Sequence, residues 1–244
     1  MTGPFFTRHP IVFEDAELIV IEKPEGVLSH PNPGGRNSVC AFEGTYDLSE
    51  RRFDTPQGPV WLIHRLDQDT SGVLLAAKNK KSAEACRMAF EKKEVEKNYL
   101  ALVSRKPMPP HGKWRDSLTE RRAGSGIRAM VSRSGQPNAL LSYQMKELYP
   151  KLNLALLEIK LVTGKTHQIR VQSAYRGHPV AGDRIYGNFT LNKELKAALD
   201  LQRMFLHASR LIFPHPTSGK LLTIESPLPE DLEDCRLRVS PKKR

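Results

Sequence analysis

The chain has 244 residues, 39% of them hydrophobic, which is enough to bury a substantial core, and we read it as one domain rather than two small ones. Thirty-eight Lys and Arg against 27 Asp and Glu give a net charge of +11, a balance that favours a phosphate-bearing partner such as nucleic acid. No apolar run approaches the ~20 residues of a membrane span, and the Met-Thr-Gly-Pro-Phe-Phe-Thr-Arg start lacks a secretory apolar segment, so a cytoplasmic protein is expected. Cys40, Cys86 and Cys235 form no C-x-x-C, and the eight histidines form no H-x-x-x-H, which argues against a zinc or redox centre.

In chain order, Leu18–Ile21 is a short apolar strand stopped by the turn Lys23-Pro24-Glu25-Gly26. Residues 31–59 are rich in Pro, Gly, Arg and Asp and read as an exposed excursion. Val73–Ala77 is a buried strand, and Asn79 caps a helix from about Lys80 to Glu94 with Ala83, Cys86, Ala89 and Phe90 at helical spacing. Tyr99–Val103 returns as a strand, and residues 104–138 read as loops around short strands. Leu140–Leu148 and Leu152–Val162 form a hairpin, as do Leu206–Phe213 and Leu221–Ile224. Thr166 is the expected cap of a short helix through Ala174, ended by Gly177 and Pro179. Strands outnumber helices and many are adjacent in sequence, which predicts an α+β fold with a mixed, largely antiparallel sheet and peripheral helices. The tail 240–244 is expected to be disordered.

The Gly-Lys-Thr at 164–166 is not a phosphate-cradling loop. The first glycine that G-x-x-x-x-G-K-[ST] requires is replaced by Ile159, inside an apolar strand. The stretch 61–78, W-L-I-H-R-L-D-Q-D-T-S-G-V-L-L-A-A-K, sets Asp67 between an apolar approach and a Thr-Ser-Gly turn, where a carboxylate can be held toward substrate. The competing reading of Asp67 is a loop-capping side chain bonded to the N–H of Thr70 or Ser71, and Asp69 forms with it a weak D-x-D metal pattern.

The chain resembles the RluA-type family of RNA pseudouridine synthases over most of its length. Six segments occur in family order: E-D-A-E-L-I-V-I-E-K-P-E-G-V-L-S-H (14–30), H-R-L-D-Q-D-T-S-G (64–72), K-N-Y-L-A-L-V (97–103), T-G-K-T-H-Q-I-R-V-Q (163–172), G-H-P-V-A-G-D-R-I-Y-G (177–187) and L-H-A-S-R-L-I-F-P-H-P (206–216). The departures are Lys165, where many members carry arginine, and a chain that starts with the catalytic domain, without the N-terminal RNA-binding module of some relatives.

The resemblance implies a pseudouridine synthase fold over residues 1–239 with a central RNA-binding cleft, acting as a monomer on ribosomal or transfer RNA without metal or other cofactor. It makes Asp67 the catalytic aspartate, Tyr99 the active-site tyrosine and Arg170 the arginine that pairs with the aspartate. The bland alternative for Tyr99 is a core aromatic on a strand. Arg65 is expected either to enter the RNA stack or to contact phosphate, and His64 to be a satisfied structural histidine. Lys23, Lys165 and Arg184 lie next to motif loops as candidate phosphate contacts, or else as solvated surface charges. Asp183 is expected to tie its loop through backbone hydrogen bonds. Target choice is assigned to the segments 31–59 and 104–138. The rival functions are a non-catalytic RNA-binding protein of the same fold and a metal-dependent nuclease.

Overall fold

A computed structural model describes residues 7–32, 39–123 and 126–239. In chain order the elements are β1 (Ile11–Glu14), β2 (Leu18–Lys23), β3 (Thr45–Asp47), β4 (Arg52–Thr55), β5 (Gly58–Leu62), β6 (Ser71–Ala77), α1 (Lys80–Glu91) and β7 (Glu96–Ser104). They continue with β8 (His111–Ala123), β9 (Gly126–Ser132), β10 (Ala139–Tyr149), β11 (Leu154–Leu161), α2 (Gln168–Tyr175), α3 (Phe189–Leu199), β12 (Leu206–Pro214), β13 (Leu221–Glu225) and α4 (Glu230–Val239). The chain divides into two compact units, residues 1–96 with 208–227 and residues 97–207 with 228–244. Among the described residues no helix is long and apolar enough to cross a membrane.

In the first unit the strands run β3-β4-β5-β6-β12, with β2 between β1 and β6 and with β13 on β12. Strand β6 is buried at every position, and β2 at all but Glu22. That is why both read as unbroken apolar runs rather than alternating ones. Gly72 is required within β6: its φ is +120°, and a Cβ there would lie 2.2 Å from the Ala208 carbonyl oxygen. Trp61, Ile63, Val73, Leu75, Ala83, Cys86, Ala89 and Phe213 build the core between this sheet and α1. Helix α1 starts as its sequence predicts, with Asn79 Oδ1 accepting from the Ser82 N–H at 2.9 Å, but it stops at Glu91 rather than Glu94. Glu17 accepts further hydrogen bonds from the Asn79 amide and the Ser82 hydroxyl.

The second unit is an antiparallel sheet in the order β7-β11-β10-β8-β9, with β11 rather than β8 beside β7. Leu102, Leu154, Leu156, Phe205 and Leu232 lie in one core cluster with α3 and α4. The expected hairpin of β10 and β11 is present, joined by a turn of 3-10 helix over Pro150–Leu152.

Two segments differ from the sequence reading. Residues 104–138 hold the long strands β8 and β9, paired from Ser117↔Ser132 to Ala123↔Gly126, rather than loops around short strands. The excursion 31–59 contains β3, β4 and the start of β5, held by Phe53, which is fully buried against Phe42 and Tyr46. Both runs are rich in turn-forming residues, and pairing with neighbouring strands overrides that local signal. The tail 240–244 lies outside the described residues.

Candidate active site

Asp67 lies on the segment between β5 and β6, and the residues on either side of it are fastened. Ser29 Oγ donates to the Leu66 carbonyl at 2.8 Å and accepts from the Leu66 N–H at 2.9 Å, and both residues are buried. On the other side the Gln68 carbonyl accepts from the Gly26 N–H at 2.9 Å and from Lys23 Nζ at 3.1 Å. Gln68 Nε2 returns a hydrogen bond to the Gly26 carbonyl at 3.0 Å. The following turn is closed by main chain, with the Thr70 N–H donating to the Asp67 carbonyl at 3.0 Å. Asp67 itself is half-buried. A short segment with both flanks fixed holds its carboxylate with little freedom, as a reacting group requires.

Lys23 corrects the sequence reading. It is 0% exposed, and its ammonium donates to the carbonyls of Pro24 at 2.8 Å, Val27 at 2.8 Å and Gln68 at 3.1 Å. Lys23 therefore fastens the turn after β2 to the Asp67 segment from a buried position, rather than standing as the solvated surface charge.

His64 is the structural histidine expected: its Nε2 accepts from the Leu75 N–H at 3.1 Å, and its ring stacks on Phe90 with centroids 5.2 Å apart. Arg65 is exposed, and its Nη1 lies 3.2 Å from His30 Nε2.

In the second unit Tyr99 sits on β7 opposite Ile159 of β11 and is buried. Arg170 is on α2, 2% exposed, and forms a two-pronged pair with Asp183, which is 0% exposed. Nε donates to Oδ2 at 2.7 Å and Nη2 to Oδ1 at 2.9 Å. Asp183 Oδ1 also accepts the N–H groups of Ile185 at 2.8 Å and Tyr186 at 3.0 Å, the loop tie expected of it. Burial pushes the Asp183 carboxyl pKa up, but Arg170 and these two N–H donors outweigh it and hold the carboxyl below its ordinary value. The Arg170 guanidinium lies 5.3 Å from the centroid of the Tyr186 ring, and the Tyr186 hydroxyl meets His167 Nδ1 and the Ala129 N–H, each at 2.9 Å.

The start of α2 differs from expectation. The cap position is His167, in a left-handed conformation at φ 52°, with no side-chain cap bond, and the helix runs Gln168–Tyr175. Thr166 is thus not the cap. Gln168 Oε1 accepts instead from the Lys165 N–H at 3.1 Å and the Thr163 hydroxyl at 2.8 Å, bracing the turn that leads to Arg170.

Of the remaining candidates, Lys165 and Arg184 are exposed, and Arg184 Nη2 donates to the Gln202 carbonyl at 3.2 Å. The β8–β9 hairpin adds a cationic face. Lys113, Arg115 and Arg121 alternate along β8, all exposed, and Arg121 stands directly opposite exposed Arg128 on β9. The other face of the hairpin buries Trp114, Leu118 and Ala129. Like charges opposite each other destabilise a hairpin unless an anion lies over them.

The sequence profile of the family described as RNA pseudouridylate synthase matches residues 17–175, which include Asp67, Tyr99 and Arg170. The ribosomal large subunit pseudouridine synthase C of Escherichia coli K12 is 37% identical over 235 residues, covering 92% of this chain and 68% of that one. This chain belongs to the RNA pseudouridylate synthase family. It is an RNA-modifying isomerase of the RluA type. The namesake from Haemophilus ducreyi is 34% identical over 242 residues, covering 96% of this chain and 70% of that one. Among solved structures, human RNA pseudouridylate synthase domain containing 4 superposes with a TM-score of 0.71 at 25% identity, over 94% of this chain and 92% of that one. The α+β fold and the enzyme class expected from sequence hold.

Sequence reasoning missed the partners of the motif residues rather than the motifs. Ser29 and His30 close the first matched segment as S-H, but nothing in that segment signals contact with residues about 35 further on. The Arg170–Asp183 pair joins two motifs that are each legible alone.

Proposed function

We propose that this pseudouridine synthase isomerises a uridine of ribosomal RNA, with Asp67 as the catalytic carboxylate and residues 1–239 as a monomeric, cytoplasmic catalytic domain. The reaction breaks the carbon–nitrogen glycosidic bond and rejoins the ring through carbon-5. A carboxylate serves it either as nucleophile on the nucleoside or as base toward the ribose. The observation that carries the assignment is the double fastening of the Asp67 segment, through Ser29 on Leu66 and through Gly26 and Lys23 on Gln68.

Tyr99 is assigned the stacking face for the flipped uracil and a hydroxyl that assists removal of the carbon-5 proton. Arg170, fixed by Asp183, is assigned the guanidinium that favours the charged catalytic carboxylate. Arg65 is assigned to the space the flipped base vacates, and Lys165, Arg184 and the β8–β9 face to the phosphate backbone. Ribosomal rather than transfer RNA is favoured by the names of the Escherichia coli, Yersinia pestis and Haemophilus ducreyi relatives, each a ribosomal large subunit pseudouridine synthase C. A pseudouridine map of total RNA with and without the gene tests the target. One lost ribosomal site is expected, and a lost transfer-RNA site with ribosomal RNA unchanged overturns the choice of substrate.

A further inference from the structure

His30 is bonded through both ring nitrogens, and its partners fix its protonation. Nδ1 lies 2.9 Å from the Pro31 carbonyl oxygen, which only accepts, so Nδ1 carries the hydrogen. Nε2 lies 3.2 Å from Arg65 Nη1, which only donates, so Nε2 is bare. Both bonds are satisfied together by one state of the ring: neutral, with the hydrogen on Nδ1. The ring plane is fixed as well. Tyr46 of β3 stacks on it with centroids 5.1 Å apart and planes 10° from parallel, and Tyr46 rests in turn on the fully buried Phe53.

We propose that His30 is the positioning residue for Arg65: its neutral imidazole accepts the guanidinium's hydrogen bond at Nε2, sets where Arg65 stands two residues before Asp67, and releases it when the ring is protonated. The inference rests on the assignment of Arg65 to the RNA stack and deepens it. Free arginine side chains have many rotamers, and one held in advance loses less entropy on entering RNA. Protonation would turn Nε2 into a donor facing a donor and place a second cation against Arg65. Among the described residues, the ionisable groups acting on the ring are Arg65, Arg51 from the turn between β3 and β4, and the phenol of Tyr46. Burial pushes the Tyr46 phenol up, so it stays neutral. Burial also lowers the His30 pKa, as do Arg65 and Arg51, against the Pro31 carbonyl, which raises it, so the accepting state prevails at neutral pH.

The test is single-turnover pseudouridine formation and RNA affinity between about pH 5 and 8, for wild type, His30→Gln, His30→Asn, His30→Ala, Arg65→Ala and the His30→Ala/Arg65→Ala pair. Glutamine places an acceptor near the position of Nε2 and does not titrate, whereas asparagine reaches only to that of Nδ1. We expect His30→Gln to lose the acid-side step of the wild-type profile, and His30→Asn to fall to the level of His30→Ala. His30→Ala should cost about tenfold in rate or affinity when Arg65 is present, as expected for one charge-assisted hydrogen bond, and under about twofold when Arg65 is alanine. If Arg65→Ala is costly but the two losses multiply independently, the positioning role is overturned while that of Arg65 stands. If Arg65→Ala costs nothing, the role of Arg65 fails and this inference with it.

Discussion

Replacing Asp183 with asparagine removes one charge from a pair that has almost no access to water, with Arg170 2% and Asp183 0% exposed. The variant keeps an oxygen for the N–H groups of Ile185 and Tyr186, which bond Oδ1 at 2.8 and 3.0 Å, so the turn itself survives. What is lost is a carboxylate charge beside the buried guanidinium, together with the 2.7 Å bond from Nε to Oδ2, where the amide offers only N–H groups. Breaking one side of such a pair costs about 3–5 kcal/mol, which for a chain of this size lowers Tm by roughly 6–20 °C. Urea and thermal unfolding measure it directly. Arg170→Met with Asp183→Asn removes both charges and should cost less than the sum of the two single changes by about 2 kcal/mol or more.

The contribution is also pH-dependent. Because the folded carboxyl sits below its ordinary value of 3.8, the stabilisation is complete above that value and is lost as pH falls through the lower folded pKa. The extra acid sensitivity of wild type over Asp183→Asn should therefore appear below about pH 4. A cost under about 1 kcal/mol, or strict additivity in the double variant, refutes the pair as a structural anchor for Arg170.

Lys23→Met keeps the apolar stem but withdraws a donor from the carbonyls of Pro24, Val27 and Gln68. It should lower unfolding free energy by about 2–4 kcal/mol and reduce turnover more than RNA affinity. A loss of affinity with unchanged urea stability would restore the phosphate-contact reading. Arg121→Ala and Arg128→Ala should each make the slope of log affinity against log salt shallower by about 0.7–0.9, with melting temperature unchanged or raised as the like-charge contact is relieved. An unchanged slope removes the hairpin from the RNA interface.

What was legible in the sequence follows from the range of the forces involved. Strand β6 announces itself because seven consecutive buried positions leave an apolar run, and α1 because Asn79 and the helical spacing agree. Helix α4 was equally readable, with Glu230, Asp231 and Glu233 in its first turn, Arg236 and Arg238 in its last, and Leu232 and Cys235 buried. Neither α4 nor α3 is among the elements expected from sequence, although Asn188 caps α3 by accepting from the Leu191 N–H.

Strands β8 and β9 were illegible for a different reason. Their buried residues are sparse and their exposed face is cationic, so no apolar alternation marks them. Thr166 is a sound cap by composition, but the chain enters α2 through the left-handed His167, a conformation set by surroundings rather than residue type. Lys23 reads as a surface charge because lysine usually is one. Its burial depends on three carbonyls that only the folded turn brings together. The motif residues were found by resemblance; what fixes each in place acts across tens of residues.

The most direct measurement is single-turnover conversion of uridine to pseudouridine in the identified RNA by wild type and by Asp67→Asn, alongside the affinity of each for that RNA. The change removes a charge but little volume from a segment held at Leu66 and Gln68 by other groups. The account predicts no detectable product from Asp67→Asn at an affinity within about twofold of wild type, since one carboxylate adds little to a phosphate-dominated interface. Product formation by Asp67→Asn at more than a few per cent of the wild-type rate, roughly 2 kcal/mol of barrier, would contradict it.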